Sequence, residues 1–165
     1  MPESSPFEIP DFLKPDTRFT VGQHKFSSTD IKKFGEKFDP QPFHTDETAA
    51  RDSMLGGLCA SGWHTVSTWM RLQREFTADN IARLKAANQP YPEFGPSPGL
   101  KFLKWIRPVF ADDTVTYANT GIEIRKSKSK PDWWVYTYKT EGLNQNSLSV
   151  IEFQSTVFLK IHHKS

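Results

Sequence analysis

The chain has 165 residues, 21 Lys and Arg against 19 Asp and Glu, and a formal net charge of +2. That length suits one domain with a sizeable core and is short for two, and the mild, dispersed charge excludes the massed basic face of a nucleic-acid binder. A single cysteine, Cys59, excludes an internal disulfide framework. With no leader pattern and no apolar run of bilayer length, the expectation is a cytoplasmic protein with neither nucleic acid nor membrane as partner.

Residues 1–17 read as an extended arm, since Met1 to Pro15 holds four prolines; residues 18–165 are then the domain. Arg18 to Gly22 predicts a first strand. Ser27 or Ser28 caps a short helix carrying Ile31, Phe34 and Phe38. After it, Pro40 and Pro42 predict an ordered loop around Asp39 and His44, and Thr45 or Asp46 caps another short helix through Asp52.

Ser61-Gly62 opens the main helix, with Trp63, Val66, Trp69, Met70, Leu72 and Phe76 as its apolar face. That helix is expected to fade near Phe76 or Thr77, with a second short helix over Asp79–Ala87. Asn88 to Gly99 reads as a proline-rich loop, and the segment Gln73 to Pro98 is expected to border the ligand tunnel. From there the period changes to two, giving strands at Leu100–Arg107, Asp113–Arg125, Asp132–Glu141 and Ser149–His162. One long helix followed by antiparallel strands predicts an α+β domain with the helix packed on a sheet face.

Chemistry concentrates between Phe38 and Thr68. Asp39 and His44 are five positions apart, and a carboxylate beside an imidazole can orient one water and move its proton. Spacing alone favours a blander reading, in which Asp39 caps a turn and His44 is a packed residue. The amides of a first helical turn lack internal partners, and a glycine there admits a substrate oxygen closely; Gly62 fits that role, or simply tight packing. A metal reading of Asp39, His44 and Asp46 lacks a second histidine or glutamate at helical spacing. Gly57 to Gly62 has P-loop spacing, but Trp63-His64 stands where Lys-Ser/Thr is needed. Cys59 and His64 read as packing residues, Ser61 as a helix cap, and His24 as solvent-exposed.

The run Asp39-Pro40-Gln41-Pro42-Phe43-His44, then Thr45-Asp46-Glu47 with Ala49 and Ala50, then Gly57-Leu58-Cys59-Ala60-Ser61-Gly62, resembles the signature of the MaoC-like, or R-specific enoyl-CoA hydratase, family. Arg107 to Thr114 resembles that family's strand, proline turn and strand. The sequence departs from the pattern at Gln41, where Asn is usual, at Ser61, where His commonly precedes the glycine, and at Asp112, where Gly commonly forms the turn.

The resemblance implies a hot-dog fold, an antiparallel sheet wrapped around a long central helix. It implies a hydro-lyase interconverting a 2-enoyl-CoA and a 3-hydroxyacyl-CoA, with Asp39 and His44 activating a water and the Gly62 amide holding the thioester oxygen. Gln41 and Ser61 then fall to substrate positioning, and Lys101, Lys104 and Arg107 are candidates for the CoA phosphates. No metal and no cofactor beyond the CoA of the substrate is expected, and the expected assembly is a homodimer or dimer of dimers. The alternatives at this point are a hot-dog acyl-CoA thioesterase and a non-catalytic acyl-CoA-binding subunit.

Overall fold

The computed structural model describes residues 8–163. Its elements in chain order are β1 (Arg18–Lys25), α1 (Ser28–Phe38), α2 (Pro42–Thr45), α3 (Glu47–Arg51), α4 (Gly62–Ala86), β2 (Tyr91–Phe94), β3 (Gly99–Trp105), β4 (Thr114–Lys126), β5 (Trp134–Leu143) and β6 (Ser149–His162). The strands form one antiparallel sheet in the order β1-β4-β5-β6-β2, with β3 paired to another stretch of the same β6 edge. This is the hot-dog architecture, an α+β domain in which the sheet curls around α4.

The helix is fastened to the sheet by burial and by a polar network. Trp69 is almost fully buried, with its ring edge-to-face on Phe153 at 4.7 Å. Its indole donates to Asn119 Oδ1 at 3.3 Å, Thr140 Oγ1 donates to the same oxygen at 2.8 Å, and Asn119 Nδ2 donates to Gln73 at 2.6 Å. Nearer the helix start, Tyr117 donates its hydroxyl hydrogen to the Thr65 carbonyl at 2.9 Å. Buried polar groups satisfied in this way fix one helix register, because a shifted register would strand them without partners.

Several expectations change. The main helix does not fade at Thr77 but runs 25 residues without interruption. No glycine or proline follows Gly62 within it, Ala78 and Ala82 favour helix, and Thr77 is buried. Its buried side carries Thr65, Thr68, Trp69 and Leu72, while Trp63 and Met70, seven residues apart and therefore on one side, are 56% and 46% exposed. The expected loop after Asn88 contains strand β2, in which Pro92 is tolerated because β2 is an edge. Pro42 opens a one-turn helix instead of preventing one; proline at a first helical position sacrifices no hydrogen bond.

Of the expected arm, residues 1–7 lie outside the described residues. Asp11–Leu13 forms a 3-10 turn that sinks Leu13 fully into the core and sets Phe12 edge-to-face on Phe76 at 6.0 Å. No helix among the described residues is long and apolar enough to cross a membrane.

Candidate active site

Three short segments meet at the N-terminal end of α4. Asp39 closes α1, its amide bonded to the Gly35 carbonyl. A Cβ on Gly35 would lie 2.7 Å from the His44 carbonyl oxygen, so a glycine there is what lets α2 fold back against α1. The stretch from Leu58 to Ala60 runs beside Val109 to Ala111, with Ala60 N–H to Val109 O at 2.8 Å and Ala111 N–H to Leu58 O at 3.0 Å. That pairing delivers Ser61 and Gly62 to the turn between β3 and β4.

His44 is buried, and its Nδ1 lies 2.6 Å from the Cys59 carbonyl oxygen. A carbonyl only accepts, so Nδ1 carries the hydrogen and Nε2 of the neutral ring presents a lone pair. Nε2 lies 3.4 Å from Asp39 Oδ2. The Asp39 carboxylate also accepts from Ser61 Oγ at 2.7 Å and from Gln41 Nε2 at 3.0 Å. Burial acts to raise the Asp39 pKa, but these two hydrogen bonds together with His44 outweigh it and hold the carboxyl below its ordinary value. Nε2 and the ionised carboxylate, 3.4 Å apart, are both acceptors and have no hydrogen to share between them. One water donating a hydrogen to each would satisfy both.

Asp39, Gln41, His44 and Gly62 line a cleft of about 410 Å³, with Trp63, Trp105 and Arg107 at its walls. Among the described residues nothing accepts from the Gly62 amide. A larger groove of about 540 Å³, at the other end of α4 between Phe12, Asn80 and Leu84, has no histidine or cysteine in its walls. The segment Gln73 to Pro98 borders that groove and contributes no wall to the Asp39 cleft.

The other expected site residues are placed as follows. The Ser61 side chain does not cap α4; its hydroxyl donates to Asp39 Oδ2, and the His64 amide that a capping oxygen would accept from is bonded to the Ser61 carbonyl at 2.9 Å. Arg107 reaches the cleft, though its Nη1 is bonded to the Ser149 carbonyl at 2.7 Å. Lys101 and Lys104 stand exposed on β3 outside the cleft wall, Lys104 facing Glu152 at 3.9 Å. Asp46 caps α3 through the Ala49 amide at 2.7 Å, and among the described residues no three His, Cys, Asp or Glu side chains gather as a metal set.

Asp112 takes the left-handed conformation that a glycine would adopt without strain, with φ 73°. Cys59 is buried, which pushes its thiol up to about 11. His64 packs as expected, stacked on Phe34 at 4.6 Å. His24 is half-buried against Phe26 at 4.8 Å, not free in solvent. Two features escaped sequence reasoning: the Cys59 carbonyl that orients His44, and Trp105, whose indole lies on Gly62.

A hot-dog domain with an Asp/His pair and an open helix-terminal amide in one cleft defines the structural class. The MaoC-like domain model matches residues 12–94. A MaoC-like dehydratase from Rhodospirillum rubrum is 33% identical, superposes with a TM-score of 0.74, and is matched over 92% of this chain and 96% of its own. The chain belongs to the MaoC-like family. The uncharacterized protein YdeM of Bacillus subtilis is 28% identical over 151 residues, 86% of this chain and 96% of that protein. An (R)-hydratase of A. caviae involved in PHA biosynthesis shares the fold at 18% identity, with a TM-score of 0.62 over 88% of this chain and 96% of its own.

Proposed function

We propose that the protein is a hydro-lyase that interconverts a 2-enoyl-CoA and its 3-hydroxyacyl-CoA. The observation that carries this reading is the 3.4 Å separation of His44 Nε2 and Asp39 Oδ2 in the cleft that also holds the unpartnered Gly62 amide. Membership of a dehydratase family agrees with it.

In the hydration direction, one water donates hydrogens to His44 Nε2 and to Asp39 Oδ2. As its oxygen attacks C3 of the enoyl thioester, His44 takes one proton and the double-bond electrons move onto the thioester oxygen. The Gly62 amide, aided by the positive end of α4, stabilises that enolate. The imidazolium, its charge eased by ionised Asp39, then returns a proton to C2, and the 3-hydroxyacyl-CoA leaves with both groups restored. Ser61 and Gln41 serve by keeping Asp39 ionised and aimed. Arg107 is the expected phosphate contact nearest the cleft, with Lys101 and Lys104 further out. The reading requires no resident cofactor.

The proposed assembly is a homodimer or a pair of homodimers. Supporting it, Phe102, Trp105 and Ile106 on or beside edge strand β3 and Trp63 on α4 are all exposed, a run of apolar surface that a second copy would remove from water.

Purified protein mixed with crotonyl-CoA tests the reaction. Loss of the conjugated-thioester absorbance is the expected result. Release of free thiol from saturated acyl-CoA without hydration would instead mark a thioesterase, and binding without turnover a carrier subunit.

A further inference from the structure

Helices α1 and α4 face each other across a second cleft, of about 330 Å³, which shares no wall residue with the Asp39 cleft. On α1 its wall runs from Asp30 through Lys33, Phe34 and Lys37 to Phe38, a spacing of three and four that puts them on one side of the helix. Across the gap stand His64 and Arg71 of α4 and His24 of β1. Packed helices ordinarily turn apolar stripes toward each other. Here Phe34 stacks on the His64 ring at 4.6 Å, and the remainder of the gap is lined with charge.

The walls hold three cations, Lys33, Lys37 and Arg71, against the single carboxylate of Asp30. Lys37 lies over the Phe38 ring at 5.1 Å, and among the described residues neither lysine has a carboxylate partner. Arg71 gives Nη1 to Glu75 at 2.8 Å, outside the cleft, and Nη2 to His24 Nδ1 at 3.4 Å. A guanidinium only donates, so the His24 hydrogen is on Nε2. His64 is only 9% exposed, and its Nδ1 is sealed without a partner. Its Nε2 also has no partner among the described residues but is not sealed, so that edge of the ring meets the cleft. Burial, then Arg71, lowers the His24 pKa; burial, then His24, lowers that of His64 to about 4, and the opposing pull of Asp30 reverses neither. Like charges facing across a gap repel. An anion between them removes the repulsion and supplies the missing acceptors.

We propose that this cleft binds a phosphate monoester, whose oxygens accept from Lys33, Lys37, Arg71 and His64 Nε2 while its organic part lies on the exposed ring of Phe38. A carboxylate carries one charge and would leave part of this donor set unused; a phosphoryl group brings about −1.5 to −2 of charge and three acceptor oxygens. Two sources carry that chemistry, a small free ester and the 3′-phosphate of CoA. The site does not depend on the hydro-lyase reading.

Calorimetric titration at low salt compares ribose 5-phosphate with ribose, and CoA with dephospho-CoA. At least one pair should show a preference of about tenfold or more for the phosphorylated member. A preference in the ribose pair assigns the site to a free ester, and one in the CoA pair alone assigns it to the 3′-phosphate. Lys33→Gln/Lys37→Gln should cut the preference by about tenfold or more, and His64→Phe, which keeps the ring stack, by about fivefold. Lys128→Gln/Lys130→Gln, which removes two exposed lysines elsewhere, should leave it unchanged. In ¹⁵N spectra of the imidazoles the ligand should move His64 Nε2 and fix its hydrogen there, with His44 unaffected.

Equal melting temperatures without ligand separate these losses from a folding defect. A protein that hydrates no enoyl thioester yet shows the preference leaves the site standing. The proposal is overturned if neither pair shows a preference, if the control pair of lysines matters as much as Lys33 and Lys37, or if the His64 resonances stay in place on binding.

Discussion

His44 gives its Nδ1 hydrogen to the main-chain oxygen of Cys59 at 2.6 Å, and this one bond decides which ring nitrogen faces Asp39. Substitution can therefore separate orientation from proton transfer. His44→Asn retains a donor that reaches the Cys59 carbonyl but has no group at the Nε2 position. It should fold with near wild-type stability and lose about 10²-fold or more in hydration rate. His44→Ala also leaves the Cys59 oxygen buried without a donor, adding a destabilisation of about 1–3 kcal/mol. Urea melts and single-turnover kinetics on the two variants check both halves.

Asp39→Asn keeps the shape of the carboxylate and removes its charge. Hydration should fall by about 10²-fold or more, with KM for the enoyl thioester little affected. Turnover at the wild-type rate would remove Asp39 from the chemistry.

Ser61 and Gln41 hold the Asp39 carboxyl below its ordinary pKa by donating to its charged form. Ser61→Ala removes one of those donors, so the pKa must rise toward the ordinary carboxylate value. The acidic limb of the pH–rate profile should move to higher pH, and it should move further in the Ser61→Ala/Gln41→Leu pair. A limb that stayed in place would separate Asp39 ionisation from the rate.

Gly62→Ala brings a methyl group into Trp105. Overpacking of this kind costs about 1–3 kcal/mol. The penalty should largely vanish in a Trp105→Ala background, giving a clear coupling energy in a double-mutant cycle. Additive melting shifts would contradict the contact.

Stability should fall on acidification through His64. Burial, reinforced by His24, lowers its pKa to about 4, against 6.5 for the free side chain. Between those values the unfolded chain binds a proton that the folded chain refuses. The contribution is full above pH 6.5, declines as pH drops toward about 4, and amounts to at most about 3 kcal/mol. His64→Phe should flatten the melting temperature across that window.

Features set by neighbouring residues were legible in the sequence. A helix start at Ser27 or Ser28, another at Thr45 or Asp46 and the opening of the main helix at Gly62 follow from turn chemistry within a few positions, whereas the meeting of Asp39 with His44 was legible only through the family resemblance. What could not be read there depends on distant partners. Trp105 falls on a strand with a period of two, where an aromatic reads as sheet packing; nothing nearby points to Gly62, which only the pairing of residues 58–60 with 109–111 brings beside it. Ser61 looks like a helix cap because caps are local, and its actual acceptor lies on another helix end. The second half of α4 lacks a strong apolar stripe and is largely exposed, so its continuity rests on helix-favouring residues such as Ala78 and Ala82.

Cys59 joins a shielded thiol to the carbonyl that steers His44. Cys59 also lines the Asp39 cleft, so a reagent that modifies its sulfur and a substrate occupying the cleft compete for the same space. Iodoacetamide labelling, slow because burial keeps the thiol protonated, should slow further when an acyl-CoA is bound, a protection readable by mass spectrometry.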